Sequence, residues 1–219
     1  QGEKEPKVLT VNDVSAQDSS TIYRDDDEDS LVTMYLTVSQ GNEADNTNHT
    51  WTDVNDHSVY YYDERGIDRY RVEGILQVGD ENGPISGMFG YGEFAPNCSV
   101  QIRGKTSTRS PQKSYKIEIR KNEGYWREQR TICLNKHVYD SVRFRNKLSY
   151  DVMKTIPNMF SARTQFVHLY VKDLTEGDAA SKQFVDYGLF TQVEQINKTY
   201  LRNHGLDENG QLYKANMFE

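Results

Sequence analysis

The feature that most constrains the fold is a series of six segments in which apolar and polar residues alternate. This period of two is typical of β-strands that bury one face. The last two segments flank the polar stretch LTEGDAASKQ, which has the composition of a hairpin connection. The predicted strands are residues 31–39, 70–78, 98–104, 114–120, 164–173 and 186–195.

A later segment, residues 142–156, has the spacing of an amphipathic helix. Asp140 or Ser141 is suited to cap its N-terminus, and Pro157 is placed to end it. We expect this helix to pack on the sheet through its apolar stripe. The stripe consists of Val142, Leu148, Val152 and Ile156.

A second helix is predicted over residues 194–204, followed by Gly205 in the left-handed conformation that often ends a helix. Its inward residues are expected to be Ile196, Tyr200 and Leu201. Strands dominate the first two thirds of the chain without strict strand–helix alternation. The sequence therefore predicts an α+β fold, a mostly antiparallel sheet with at least two packed helices.

Polar segments separate these elements. Residues 1–30 include the acidic run DDDEDS, which lacks the alternating ligands and the glycine of a calcium loop, and residues 40–58 are expected to form a long polar loop. The N-terminus has no signal-peptide pattern, so we expect the chain to start after any export signal or to have none. No segment is apolar enough for a membrane span.

Charge and cysteine usage exclude several functions. The net charge of -7 disfavours non-specific attraction to nucleic acid and to anionic membranes. Cys98 and Cys133 form no C-x-x-C pair, so zinc binding and thiol redox chemistry have no support. The two cysteines form one disulfide or remain two separate buried thiols, and the second arrangement is favoured. The histidines show no metal-ligand spacing, and we expect no metal site within this chain.

Residues 103–121 carry a local excess of positive charge, with Glu118 as the single acidic residue. Their Gly-Lys-Thr is not a P-loop, because Ser99 stands where that motif has its first glycine and a strand follows where it has a helix. Lys113 begins the face of the strand that carries Tyr115. Lysine, hydroxyls and backbone N–H groups can together cradle a phosphate. Alternatively, these charges solvate an edge strand and discourage edge-to-edge pairing.

Several blocks in order resemble the spore coat protein H (CotH) family of bacterial kinase-like proteins. The blocks are RGKTS, QKSYKIEI, LNKHVYDSVRFRNKLSYDVM, RTQFVHLYVKD, DYGLFTQVEQINKTYL and GQLYK. The resemblance runs from about Leu31 to the C-terminus. It implies that residues 31–219 are the N-terminal part of a CotH kinase-like domain, resembling the N-terminal lobe of an atypical protein kinase.

The resemblance also implies a function. Family members use ATP and Mg²⁺ to phosphorylate Ser or Thr of coat or extracellular proteins, so we expect a secreted or spore-surface location in a bacterium. The magnesium-binding aspartates of the family lie in a second lobe, beyond the block that this chain ends with. We therefore expect a truncated, inactive chain whose metal ligands lie outside it.

Carried over residue by residue, the resemblance assigns Lys113 as the catalytic lysine that neutralises the phosphates. A carboxylate at Glu194 would orient this lysine, or backbone groups there would meet the adenine. Lys105 stands where the family commonly has Asn, which leaves its role open. The full set of expected nucleotide-binding residues is Arg103, Gly104, Thr106, Ser107, Lys113, Glu194 and Gln195.

A second function remains open. The same scaffold would serve as a non-catalytic module that binds protein or polysaccharide, with the basic loop gripping acidic partners. Aromatic residues near Trp51 and at 60–62 are able to stack on sugars, although packing on neighbouring strands explains them as well. Loss of glucan binding on changing Trp51 would favour this function, and loss of ATP binding on changing Lys113 would favour the kinase-like one.

Overall fold

A computed structural model describes residues 30–157, 159–178 and 182–213. These residues form eight strands, four helices and one 3-10 turn, Thr106–Arg109. The strands are β1 Leu31–Ser39, β2 Val72–Asp80, β3 Gly83–Pro84, β4 Cys98–Arg103, β5 Ser114–Ile119, β6 Thr131–Asn135, β7 Thr164–Asp173 and β8 Val185–Glu194. The helices are α1 Trp51–Asp56, α2 Val59–Arg65, α3 Arg145–Lys154 and α4 Lys198–Asn203.

The strands pair into a closed ring. The sheet has the order β1-β7-β8-β6-β5-β4-β2-β3, and β1 also pairs with β2. Seven strands therefore form a small barrel, and β3 extends β2 as a short hairpin. β1 runs parallel to β7, and the other pairings between described strands are antiparallel.

Alternation along the strands fills the barrel with apolar side chains. Leu36, Ile117, Leu134 and Leu169 are fully buried members of one continuous core. Helices α1 and α2 close the end of the barrel at which β5 begins, and the Trp51 ring stacks on Tyr115 with centroids 5.1 Å apart. Two helices thus cover one end of the barrel, and a cleft opens at this end.

A capping box fixes the start of α1. The Thr50 hydroxyl accepts a hydrogen bond from Asp53 N at 3.0 Å, and the Asp53 carboxylate accepts one from Thr50 N at 3.0 Å. Such reciprocal caps satisfy backbone donors that the first helical turn leaves free. The prediction that residues 40–58 form a loop is therefore wrong in its second half, because this T-x-x-D signal begins a helix of only two turns.

Helices α3 and α4 lie on the outside of the barrel. Val193 of β8 packs there with Ala162, Tyr200 and Leu201 in a second, smaller core. Gly205 follows α4 with φ of 70°, as predicted. Tyr200 and Leu201 are buried as predicted, but Ile196 is not, because it precedes the first turn of the helix.

The predicted orientation of α3 is wrong. Helix α3 begins at Arg145, and its apolar stripe points outward, with Leu148 50% and Val152 53% exposed; Val142 and Ile156 are also exposed. Instead, the buried Lys147 donates to Asp151 at 2.8 Å, and Asp151 accepts from Thr164 of β7 at 3.1 Å. A polar bridge, rather than the apolar stripe, joins this helix to the sheet.

The remaining predictions about the fold have clear outcomes. All six predicted strands are present, and the α+β class with a mostly antiparallel sheet is confirmed. β5 lies between β4 and β6, so the suggestion that its charges protect a sheet edge is wrong. Cys98 and Cys133 are free and buried, which confirms two separate thiols. The acidic segment before Ser30 lies outside the described residues.

Candidate functional site

The first cleft, called the mouth cleft, opens at the end of the barrel that α1 closes and has a volume of about 460 Å³. Its wall is both aromatic and cationic. The aromatic and cationic residues of this wall are Trp51, Lys113, Tyr115, Lys136, Tyr187 and Phe190.

Lys113 of the predicted site lies in this cleft, on the barrel-interior side of β5, as the alternation with Tyr115 and Ile117 predicts. Its Nζ donates to the carbonyl of Thr108 at 2.7 Å, which folds the loop between β4 and β5 back over the amine. Burial lowers the pKa of Lys113, and the charge of Asp56 acts in the opposite direction. The ammonium is thus partly desolvated and has one hydrogen-bond acceptor among the described residues.

Lys136 is the residue of this cleft that sequence reasoning missed. It follows β6, is 7% exposed and donates from Nζ to the carbonyl of Tyr187. The amine also lies 4.2 Å from the centre of the Phe190 ring. Burial, and secondarily the charge of Arg143, lower the pKa of Lys136 to about 8, whereas Asp186 acts to raise it. The short strand TICLN immediately before it was the signal that could have located this lysine.

The acidic residues of the mouth cleft lie at its rim. Asp56 and Asp186 are both exposed. Asp186 accepts from His168 Nε2 at 2.7 Å and from Gly188 N at 2.6 Å, and the bond from His168 is the main reason that its pKa is lowered. The carboxylates are therefore solvated or already paired, while the lysines are the groups held out of water.

The second cleft, called the loop cleft, lies on the outer side of the barrel and has a volume of about 390 Å³. It brings together Arg103, Gly104 and Ser107 of the predicted site. Arg103 donates to the side-chain oxygen of Asn135 on β6. Thr106 is exposed on the 3-10 turn above them.

Gly104 gives this loop its shape. Its φ is 106°, and a Cβ at this position would lie 2.3 Å from Ser107 Oγ. A residue with a side chain is strained at such a φ, and here it would also collide with the serine hydroxyl. Glycine therefore allows the chain to leave β4 and bring Ser107 back towards Arg103.

Glu194 and Gln195 lie at the opposite end of the strands, in a third cleft of about 290 Å³ called the strand-end cleft. Glu194 is 3% exposed, and its carboxylate accepts from Arg163 N at 3.1 Å and bonds His204 Nε2 at 3.0 Å. Gln195 Oε1 accepts from Cys133 Sγ at 3.2 Å. Glu194 is thus a buried carboxylate that is hydrogen-bonded within the protein, and its role at the nucleotide remains a prediction.

Strand register separates Glu194 from Lys113. Glu194 is level with Ile132 and Ile117, whereas Lys113 precedes Ser114, so four residues along β5 separate the two levels, about 13 Å at ~3.3 Å per residue. Lys113 bonds Thr108 rather than Glu194. The expectation that Glu194 orients Lys113 is not met.

One sheet face connects the loop cleft and the strand-end cleft. This outer face of β4–β5–β6 consists of the outward side chains of three strands in register. Its middle row is Gln101, Lys116 and Cys133. Burial raises the pKa of the Cys133 thiol, while Arg103 and Lys116 act to lower it. The charges of both cations therefore act on the thiol at the centre of this face.

The residues described offer no metal centre and no membrane span. Among residues 30–157, 159–178 and 182–213, no group of three or more His, Cys, Asp or Glu side chains is arranged to hold a metal ion. Over the same ranges, no helix is both long and apolar enough to cross a membrane.

Comparison with known proteins agrees with the resemblance of the sequence blocks. No curated protein matches this chain. The family model described as CotH kinase protein matches residues 100–219, more than half of the chain, and it begins within β4, so that β1, α1, α2 and β2 lie outside the match. Because this match covers more than half of the chain, the chain belongs to the CotH kinase family.

Proposed function

We propose that this chain binds ATP on the outer face of β4–β5–β6, as the nucleotide-binding part of a protein kinase that phosphorylates Ser or Thr of coat or other extracellular proteins. The observation that carries this proposal is the sheet face between two clefts, on which Arg103 and Lys116 lie, with Lys116 paired to Glu118 at 2.8 Å. Arg103 and Ser107 lie at one end of it and Gln195 at the other. Family membership supports the kinase-like class.

The dimensions of the face suit a nucleotide. The loop cleft includes Ser114 and the strand-end cleft includes Glu118, four residues further along β5, or about 13 Å at ~3.3 Å per residue. This length is comparable to that of an extended nucleoside triphosphate. We place the phosphates at the loop cleft, where the guanidinium of Arg103 provides a fork of donors, and the base near Gln195.

Each part of this face has a task in binding. The loop after Gly104 brings the Ser107 hydroxyl and backbone donors towards the phosphates, as Gly-rich loops do in protein kinases. Lys116 would contact the middle of the chain of phosphates by exchanging its ion pair with Glu118 for one with the ligand. ATP supplies the transferable phosphoryl group, and the residues of this chain bind and orient it. Among the described residues no group of three or more His, Cys, Asp or Glu side chains is arranged to hold the Mg²⁺ that accompanies ATP.

Calorimetric titration of the protein with ATP tests this site. Arg103→Ala and Lys116→Ala are each expected to weaken binding about tenfold, because each removes a charge-assisted contact worth ~1.5 kcal/mol or more. Lys105→Ala removes an exposed lysine from the same loop and serves as the matched control. Raising the salt concentration should weaken ATP binding, since half-exposed charges are screened.

The assignment of Lys113 to the nucleotide remains a prediction, and the same titration separates it from the outer face. If Arg103→Ala and Lys116→Ala keep full ATP affinity and only Lys113→Ala loses it, the nucleotide binds in the mouth cleft instead. Absence of ATP binding in the parent protein, with and without added Mg²⁺, would contradict the proposed function itself.

A further inference from the structure

Three donor groups that line the mouth cleft make fewer hydrogen bonds than they can. An ammonium group has three N–H donors. Among the described residues, Lys113 Nζ donates to the carbonyl of Thr108 and Lys136 Nζ to the carbonyl of Tyr187, one acceptor each. The Tyr187 hydroxyl accepts from Trp51 Nε1 at 2.9 Å, which leaves its own proton available for donation. Three donor groups on one cleft wall therefore have unused capacity.

This arrangement is unfavourable without a partner. A buried ammonium loses its hydration, and the loss is repaid only by hydrogen bonds or by an opposite charge. Lys136 is 7% exposed, yet the acids of the cleft, Asp56 and Asp186, lie in solvent at the rim. Among the described residues neither ammonium group is hydrogen-bonded to a carboxylate, since Lys113 bonds the carbonyl of Thr108 and Lys136 that of Tyr187. The two lysines are therefore complementary to an oxyanion bound between them.

The walls hold the donors in place. Tyr115 donates from its hydroxyl to Asn55 Oδ1 at 2.7 Å, and Asn55 donates to the carbonyl of Trp51 at 2.7 Å. The first bond joins α1 to β5, the second lies within α1, and Lys136 is held over Phe190. A ligand entering this cleft meets positioned groups and has little ordering to impose, which favours binding.

We propose that the mouth cleft is a second ligand site, distinct from the nucleotide face, that binds a small organic ligand through a phosphoryl or carboxylate group held by Lys113 and Lys136. Its volume of about 460 Å³ exceeds what an inorganic anion needs and lies in the usual range for small-molecule pockets, ~300–1,000 Å³. The site faces the barrel interior, whereas Arg103 and Lys116 face outward.

Titration with inorganic phosphate and with citrate, in chloride buffer, tests this site and distinguishes the two anion classes. We expect at least one of these probes to bind, and we expect Lys113→Met and Lys136→Met each to weaken its binding at least tenfold. Lys105→Met is the matched control and is expected to retain the parent affinity. Circular dichroism and thermal melting check that each variant is folded. Because Lys113 is only half-buried, its variant carries the test if the Lys136 variant is unstable.

Proton uptake provides a readout that surface binding does not share. Since the pKa of Lys136 is about 8, its amine is about half protonated near pH 8, and a bound anion draws in the missing ~0.5 proton. Arg143, Asp186 and Lys113 are the other charged groups around it. Calorimetry in two buffers of different ionisation enthalpy measures the uptake, which Lys136→Met should abolish.

Three outcomes overturn the proposal. They are binding of neither probe, unchanged affinity in both lysine variants, and displacement of the bound probe by ATP with loss of ATP binding in Lys113→Met. The last result would identify the mouth cleft as the nucleotide site. Unaltered probe binding in the presence of saturating ATP supports two separate sites. Failure of ATP to bind at all leaves the phosphate and citrate results valid, so the two proposals fail independently.

Discussion

Replacing Lys136 by Met should change how the stability of this protein depends on pH. Lys136 is buried over Phe190 beside the mouth cleft, and its pKa falls from 10.5 to about 8, chiefly through burial. Below pH 8 the amine is charged in both the folded and the unfolded chain, and the folded state carries the full desolvation penalty. Methionine has a similar length and no charge.

The magnitude follows from proton linkage. Between about pH 8 and pH 10.5 the unfolded lysine binds more protons than the folded one, so the stability of the parent protein rises with pH in this window. At ~1.4 kcal/mol per pKa unit, the penalty at Lys136 is about 3 kcal/mol near pH 7 and falls to about 1 kcal/mol near pH 9.5. Methionine removes this penalty but leaves the Tyr187 carbonyl without its donor, which costs about 1–3 kcal/mol at either pH.

The cost at the Tyr187 carbonyl is the same at both pH values. The prediction therefore concerns how the difference in free energy of unfolding between Lys136→Met and the parent changes with pH. Urea unfolding at both pH values, in chloride buffer, should show the free energy of unfolding of Lys136→Met falling by about 2 kcal/mol relative to the parent between pH 7 and pH 9.5. Tyr62, whose pKa is raised to about 12 by burial, makes higher pH unsuitable. Lys105→Met, at an exposed position, should stay within about 0.5 kcal/mol of the parent.

A difference between Lys136→Met and the parent that stays constant from pH 7 to pH 9.5 would refute the reasoning, because it would mean that Lys136 is solvated in the folded protein. The argument for an anion in the mouth cleft would weaken with it, since that argument depends on a desolvated ammonium.

Two further predictions test the packing. Leu148→Ser, on the outward stripe of α3, should change the free energy of unfolding by less than about 1 kcal/mol in urea unfolding. Leu134→Ala, in the barrel, should cost about 2–5 kcal/mol in the same assay. Similar losses in the two variants would show that α3 packs through its stripe. Trp51→Ala should cost about 3–5 kcal/mol in the same assay, because Trp51 is 5% exposed and stacks on Tyr115. A fully stable Trp51→Ala protein that loses glucan binding would instead support the polysaccharide-binding alternative.

The sequence predicted six of the seven barrel strands from their alternation and missed β6, whose three central residues are all buried. In β4 and β5 every second residue is buried, and this local pattern is independent of which strands become neighbours. Closure of the ring through the β1–β2 pair has no such local signal. It depends on residues 33–39 meeting residues 73–79, which the alternation of each strand permits but does not specify.

Helix α3 shows where periodicity misleads. A stripe of apolar residues indicates a helix, and the helix is present, but the stripe does not identify its partner. The side that meets β7 carries the Lys147–Asp151 pair, which is internally neutral and accepts a further bond from Thr164. Burying a paired lysine and carboxylate costs less free energy than burying either charge without its partner.

The separation of Arg103 from Lys113 into different clefts could be read from the sequence through the same alternation. Val100 and Ile102 are apolar, so Arg103 must point to the other side of β4; Tyr115 and Ile117 are apolar, so Lys113 must point with them. Grouping these basic residues by their nearness along the chain placed them in one site. Grouping them by face gives one cation to the sheet exterior and the other to the mouth cleft, with the loop between β4 and β5 forming part of both walls. Substitutions of Arg103 and Lys113 therefore separate two sites that share a single loop.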